Sequence, residues 1–176
     1  MLDEFMIPKE RIAVLIGPNG QTKKEIEQRT HCRMGIDSKS GDISIEGEDA
    51  SHVLTAGNVV KAIGRGFSPP HAFRLFEEDH YFEIIYLPDL LGKDWKTLQS
   101  KKGRIIGKEG IIRKKIEQDT HTLISVYGKT ISIIGKPDAL ARAVQAVTML
   151  VKGAEHATVL NYLRQSLTAP EEFEFR

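Results

Sequence analysis

The sequence predicts an α+β protein made of two tandem β-α-α-β-β-α units with a C-terminal helical extension. Three observations predict it. A Gly-x-x-G loop occurs twice, as Gly17-Pro18-Asn19-Gly20 and Gly107-Lys108-Glu109-Gly110, at an offset of 90 residues. In the same register Ile26-Glu27-Gln28-Arg29-Thr30-His31 faces Ile116-Glu117-Gln118-Asp119-Thr120-His121, five identities in six positions. Each loop is followed by two strand-like segments and an amphipathic helix. Self-similarity at a fixed offset is the mark of a repeated structural unit, so the chain is read as two copies of one module.

Composition is consistent with this. The 176 residues suffice for one or two small domains, and 40% hydrophobic with 28% charged residues excludes a disordered chain. Lys plus Arg number 25 and Asp plus Glu 24, so nucleic-acid binding would rest on local basic patches and shaped grooves, not on a global positive field. One cysteine, Cys32, and no clustered histidines argue against a disulfide or a zinc site and for a reducing compartment. Met1-Leu2-Asp3-Glu4-Phe5 lacks the basic start and apolar core of a signal peptide, and no apolar run approaches the ~20 residues of a membrane span. The expectation is a soluble, cytoplasmic protein with no membrane association.

Each unit is expected to open on an extended segment, Phe5 to Pro8 and Tyr81 to Leu87. An apolar helical turn precedes each loop, Arg11 to Ile16 and the shorter Arg104-Ile105-Ile106. Residues 21–31 and 111–121 contain neither Pro nor Gly and favour a helix, with Ile26 and Ile116 facing inward. Strands follow at Arg33 to Asp37 and Asp42 to Glu46, and at Leu123 to Tyr127 and Thr130 to Ile134. Gly128-Lys129 suits a two-residue hairpin connection, while Ser38-Lys39-Ser40-Gly41 makes the first hairpin loop longer and slips the later register by two residues.

The closing helices are expected near Asp49 to Gly64 and from Pro137 to Lys152, the second with Leu140, Ala143, Val144, Val147 and Val151 on one face. Gly64 to Pro70 is turn-rich and places the boundary near residue 70, giving units of 1–70 and 71–176, with a short helix possible over Ala72 to Asp79. A last helix carries Val159, Leu160, Leu163 and Leu167 against the second unit, and Glu171 to Arg176 reads as a frayed end. Phe67, Phe73 and Trp95 are expected in core or inter-repeat packing.

Ile16-Gly17-x-x-Gly20 and Ile106-Gly107-x-x-Gly110, each between short helices, resemble the type I KH domain. The pairing of two such units, the run Arg104 to Gly110 with Ile116-Glu117-x-x-Thr120, and the helical extension are similar to the archaeal form of a small-subunit ribosome-assembly factor family. The resemblance spans residues 5 to 167. It implies a non-enzymatic single-stranded RNA-binding protein that meets small-subunit rRNA near its 3′ end. The protein partners it implies are the PIN-domain endonuclease that matures that end and translation factors. One departure from the usual KH pattern is a cation three residues after each loop, Lys23 and Arg113, where an apolar residue is common.

In such a module the glycines let the backbone turn sharply and approach the sugar-phosphate chain, and the next helix offers free N-H groups and a positive dipole end to a phosphate. The candidate RNA-binding residues are Gly17, Asn19, Gly20, Lys23 and Lys24 in the first repeat, and Arg104, Gly107, Lys108, Gly110, Arg113 and Lys114 in the second. Residues 101–115 hold seven cations against Glu109 alone, whereas residues 9–24 hold Lys9, Arg11, Lys23 and Lys24 against Glu10, and Pro18 removes one loop donor. The second repeat is therefore expected to supply more of the phosphate affinity.

Competing readings are weaker. Either loop alone could be a tight connection beside solvated lysines, but two in register with adjacent cations argue for a site. Gly103 to Glu109 has one residue too few between its glycines for a P-loop, and Glu109 stands where Ser or Thr would meet magnesium. His31 and His121 read as helix C-caps, and Cys32 as a small buried residue. No aromatic residue lies in either loop, which disfavours stacking modules such as RRM and OB folds. No acid cluster suits two-metal cleavage, so no catalytic residue, metal or cofactor is expected. A protein-docking scaffold is the competing function.

Overall fold

The computed structural model describes residues 1–168, and side chains as far as Ser166. The side chain of the expected apolar position Leu167 and the expected frayed end Glu171 to Arg176 lie outside what is described.

The first repeat runs β1 (Leu2–Met6), a 3-10 turn at Lys9–Arg11, α1 (Ile12–Ile16), the Gly loop, α2 (Gln21–Thr30), β2 (Arg33–Ile36), β3 (Asp42–Glu46) and α3 (Ala50–Gly64). A connector follows, α4 (Pro69–Ala72) with a 3-10 turn at Phe73–Phe76. The second repeat is β4 (Tyr81–Tyr86), α5 (Leu87–Leu91), α6 (Trp95–Ile106), the second Gly loop, α7 (Ile111–Thr120), β5 (Leu123–Tyr127), β6 (Thr130–Gly135) and α8 (Pro137–Val151). The extension is α9 (His156–Thr168). The strands form two antiparallel sheets, β1-β3-β2 and β4-β6-β5, so the expected β-α-α-β-β-α order appears twice, the second time with the short helix α5 added after its first strand.

The shared hexapeptide is explained residue by residue. Ile26 and Ile116 are fully buried. Glu27 accepts a hydrogen bond from the Met34 amide at 2.8 Å, and Glu117 from the Ile124 amide at 3.2 Å, tying each helix to the strand that follows. Thr30 and Thr120 donate their hydroxyls to the Ile26 and Ile116 carbonyls one turn back, at 2.7 and 2.6 Å. His31 and His121 occupy the C-cap positions at φ 53° and 56°. The left-handed turn that ends each helix is thus held by a histidine, and chain geometry accounts for these positions more directly than the helix dipole does.

Tyr127 pairs with Thr130 across Gly128-Lys129, the two-residue hairpin expected there, while Ile36 pairs with Ile43 across the longer first loop. Four local expectations need correction. β1 begins at Leu2 and not at Phe5, because an edge strand needs only one good neighbour: Leu2 pairs with Glu46 and the Met1 amine donates to the Gly47 carbonyl at 2.7 Å. The helix before the second loop is not the shorter one; α6 has 12 residues, started by Asp94, whose carboxylate accepts from the Thr97 amide at 3.0 Å. Trp95, expected in packing, begins that helix on its solvent side and is 63% exposed. The connector helix starts earlier than Ala72, at Pro69, where the proline's fixed φ suits a first helical turn.

The connector and α9 do the same job in the two repeats. Ala72 and Leu75 are buried on α3, and the Arg29 guanidinium of α2 lies 4.0 Å over the Phe76 ring. Val159 and Leu163 of α9 are buried in the core that α8 lines.

The repeats pack head to tail. The end of α3 and the residues after it lie on the outer face of the second sheet, and all six residues of β6 are buried. Ile131 and Ile133 enter the second core, while Ile134 joins the first. Phe67 meets Phe82 edge to face with centroids 6.4 Å apart, which bears out Phe67 as inter-repeat packing, and Phe73 packs on Phe76. Ser125 donates to the Arg65 carbonyl at 2.8 Å, and Arg65 to the Thr130 hydroxyl at 3.2 Å. The Arg65 and Arg11 guanidiniums lie 5.3 and 5.8 Å over the Tyr127 ring. The Tyr127 hydroxyl donates to Glu10, which holds the Glu10 carboxyl below its ordinary range; burial, with that bond, pushes the Tyr127 phenol up. This seam fixes the orientation of the repeats and leaves no free linker between them.

Candidate nucleic-acid interface

The two Gly loops have nearly the same backbone. Gly17 and Gly107 leave their helices at φ 73°, ψ 174° and φ 72°, ψ 176°. Asn19 and Glu109 both sit at φ 54°, ψ 25°, and Gly20 and Gly110 at φ 71° and 73°. The two glycines of a loop serve different ends. A Cβ at Gly107 would lie 2.5 Å from Ile112 Cγ1, and one at Gly17 would lie 2.2 Å from Thr22 Oγ1, so the first glycine makes room for the chain's own next helix. A Cβ at Gly20 would meet nothing within 4 Å, and one at Gly110 only the ends of Arg113 and Lys114 at 3.9 Å. The second glycine therefore keeps open space in front of the helix, together with a left-handed turn that L residues adopt at a cost of about 1–2 kcal/mol.

That space is where α2 and α7 begin. Neither N-terminus has a side-chain cap, so first-turn N-H groups remain for an anion. Among the described residues Lys24, Lys108 and Lys114 are exposed and form no ion pair. Asn19 is exposed in the first loop; Pro18 beside it has no N-H to offer, whereas Lys108 at the same place does.

Other sequence candidates are engaged within the protein. Arg104 points away from the loop: its guanidinium donates to the Leu150 and Ala154 carbonyls at 3.3 and 2.6 Å, closing the end of α8, and its own carbonyl meets His156 Nε2 at 3.0 Å. Arg11 does likewise in the first repeat, donating to the Ile63 and Phe67 carbonyls at 2.8 Å each. Arg113 is bonded to Glu117 at 2.7 Å and to the Ile124 carbonyl at 3.3 Å. Lys23 stands 4.0 Å from Glu27, and Lys115 pairs with Asp119 at 3.2 Å. The basic run of residues 101–115 is thus less free than its composition suggests, because α7 carries its own carboxylates one turn on.

Beside the second loop, Ile106, Arg113, Ile124 and Val126 line a cavity of about 380 Å3 between α7 and the edge strand β5. Ile124 turns both main-chain groups toward α7, where Glu117 and Arg113 take them. By the two-residue alternation of a strand, Val126 presents its N-H and C=O on the same side, the kind of edge on which a base can be read. Sequence reasoning missed this apolar floor, although the alternation of Ile124 and Val126 was the signal for it. Among the described residues no helix is long and apolar enough to cross a membrane.

Comparisons with known proteins identify the fold and the family. Residues 81–168 match the model of the eukaryotic type KH domain, KH-domain type I, and residues 2–62 match that of the KH domain. A KH domain-containing protein of Methanocaldococcus jannaschii is 39% identical over 168 residues, covering 93% of this chain and 73% of that protein. The pre-rRNA-processing protein PNO1 of Chaetomium thermophilum is 27% identical over 76% of this chain, which spans 55% of that relative's length. The crystal structure of Dim2p from Pyrococcus horikoshii OT3 is 46% identical with a TM-score of 0.87, covering 94% of this chain and 99% of that one. The Pyrococcus horikoshii OT3 complex of a/eIF2alpha, aDim2p and rRNA holds a chain 45% identical with a TM-score of 0.89, covering 96% of each. With two KH units in the order and orientation of these relatives, and matched over nearly its whole length, the chain belongs to the PNO1/Dim2-type family of KH rRNA-processing proteins.

Proposed function

We propose that this protein binds single-stranded RNA without acting on it chemically, and that its target is small-subunit rRNA near the 3′ end during ribosome biogenesis. The observation that carries this reading is the pair of Gly loops with matching backbone angles, each opening an uncapped helix N-terminus. The similar chain solved with rRNA supports RNA as the ligand class. Gly107, Lys108, Gly110 and Lys114 are assigned to phosphates in the second repeat, and Gly17, Asn19, Gly20 and Lys24 in the first. Arg113 and Lys23 shape the groove side of their helices, and Arg104 is a buttress of the loop helix.

The second repeat takes the larger share, because its loop has one more N-H and a lysine where the first has Pro18. If both repeats engage one strand, the fixed seam makes the second contact intramolecular, which raises affinity by roughly 10²- to 10⁴-fold. The assigned protein partners are a translation initiation factor, supported by the a/eIF2alpha complex of the similar chain, and the endonuclease that matures the rRNA end, which the family resemblance implies. The cytoplasm is the compartment that suits these partners.

The test is titration of a single-stranded RNA matching the small-subunit rRNA 3′ end, and of an unrelated strand, with the wild type and with Lys108→Asp plus Glu109→Asp. Both substituted side chains are exposed, and Asp tolerates the left-handed position of Glu109, so the fold is kept. Tight binding that prefers the rRNA strand and weakens at least on the order of tenfold in the variant supports the reading. Equal, tight binding by both proteins would move the RNA clamp to the first repeat, and no binding by either would move the function to a protein-docking surface.

A further inference from the structure

We propose that the base groove of the second repeat is completed by the connector between the repeats: Ser68 and His71 form its far wall and contact one nucleobase of the bound strand. This rests on the RNA-binding reading above and assigns specificity to residues outside the second repeat's own β-α-α-β-β-α unit.

The cavity of about 380 Å3 that Ile106, Arg113, Ile124 and Val126 line on one side is lined on the other by Ser68 and His71. Both connector residues are exposed, and neither side chain makes a hydrogen bond or an ion pair among the described residues. Their place is not left to a mobile loop. Phe67, next to Ser68, is 3% exposed and packed edge to face on Phe82. A Cβ at Gly66 would come within 2.6 Å of Ser125 Oγ, so the main chain lies directly on β5 there. Ala72, next to His71, is fully buried on α3. A wall held at both ends with two unbonded polar side chains between is a preorganised contact surface.

The chemistry of the space selects its occupant. The floor is aliphatic, one rim carries the Arg113 guanidinium, and the opposite rim carries a hydroxyl and an imidazole. The uncapped start of α7, with Lys108 and Lys114, adjoins it as a phosphate site. A ligand with a flat, largely apolar body, polar edges and a phosphate within one residue's reach is a nucleotide. His71 supplies the ring on which the base stacks, and Ser68 a hydroxyl at the base edge. His71 also lines a second cavity of about 350 Å3 with Arg74 and His121, so the strand leaves the groove past the imidazole.

The experiment measures affinity for single-stranded RNA heptamers, each position varied in turn, with the full chain as wild type, Ser68→Ala plus His71→Ala, His71→Phe, and the Lys108→Asp plus Glu109→Asp loop variant. The expected result for the alanine pair is roughly five- to tenfold weaker binding, with preference lost at one nucleotide position only and an unchanged Tm, since both side chains are exposed. His71→Phe restores the affinity but not the preference, because the stack returns without the polar edge. Affinity and preference within twofold of wild type in the alanine pair, or a uniform loss at all positions, would overturn the proposal. If the loop variant loses binding while the alanine pair keeps it, only this inference fails; if the wild type itself does not bind the strands, the RNA reading fails and takes this inference with it.

Discussion

Arg113 Nη1 lies 2.7 Å from Glu117 Oε1, and the two side chains together hold both outward main-chain groups of Ile124, the carbonyl at 3.3 Å and the amide at 3.2 Å. One turn of α7 is thereby fastened to β5, and the width of the groove between them is set by this clasp. In the first repeat Glu27 holds the Met34 amide, but Lys23 stands at 4.0 Å and no carbonyl bond completes the clasp. The cation three residues after each loop does different work in the two repeats.

Arg113→Ala should therefore act on structure as well as binding. It removes one charged bond partner from a half-buried pair, and a loss of about 1 kcal/mol is expected after solvent screening is allowed for. Lys114→Ala, on an exposed unpaired side chain, should leave stability unchanged and lower the salt dependence of RNA binding by about 0.7 in the log-log slope. Urea unfolding and a salt titration of each variant separate the two effects. A Lys114 variant with the wild-type slope would remove that residue from the phosphate contacts.

The two glycines of the second loop should differ in kind. At Gly107 a Cβ collides with Ile112 at 2.5 Å and must also be left-handed at φ 72°, so Gly107→Ala combines overpacking of about 1–3 kcal/mol with backbone strain. At Gly110 only the strain applies, about 1–2 kcal/mol, because the Cβ enters open space. Gly110→Ala should stay folded and still bind RNA more weakly, as its methyl occupies the space a sugar-phosphate backbone approaches. Denaturation midpoints and RNA affinities measured on the two variants give the order; an equal stability loss at both positions would contradict it.

Much of this was legible in the sequence because the informative residues act locally. The Gly loops, the buried Ile26 and Ile116, the His31 and His121 turns and the Gly128-Lys129 hairpin depend on chain neighbours within a few positions. What was not legible depends on distant partners. Thr130-Ile131-Ser132-Ile133-Ile134 alternates like a strand with one wet face, yet both faces are buried because the first repeat lies on the outer one. The cations of residues 101–115 look free by count, but Arg104 and Arg113 turn to carbonyls and a carboxylate that only the folded chain brings near. The cavity beside the loop takes its second wall from residues some 40 positions upstream of the loop.

Arg104 offers a test of that last kind. Its bonds to Leu150 and Ala154 join α6 to the last turn of α8 and to the connection between α8 and α9, and His156 meets the Arg104 carbonyl from the start of α9. Arg104→Ala should cost about 2 kcal/mol through the two bonds to a charged donor and loosen α9 ahead of the rest of the second repeat. Hydrogen exchange should show faster amides in α9 with α7 and β5 little changed, and RNA affinity should fall only modestly. A large affinity loss with unaltered exchange would make Arg104 a direct RNA contact.

The seam between the repeats should be sensitive to pH at both ends of the scale through one bond. Glu10 is held below its ordinary value of 4.5 chiefly by the Tyr127 hydroxyl, so its contribution is present above that value and is lost as pH falls through the lowered one. Tyr127 is raised above 10.0 by burial and then by Glu10, so its contribution is present below pH 10.0 and is lost as pH rises through the raised one. Tyr127→Phe removes the phenol's titration and the largest cause of the lowered Glu10 value while keeping the ring under the Arg11 and Arg65 guanidiniums. The Tm difference between wild type and Tyr127→Phe should be constant from roughly pH 5 to pH 9 and shrink on either side. A difference that does not narrow at either extreme would show that the Tyr127 hydroxyl and Glu10 are not bonded in solution.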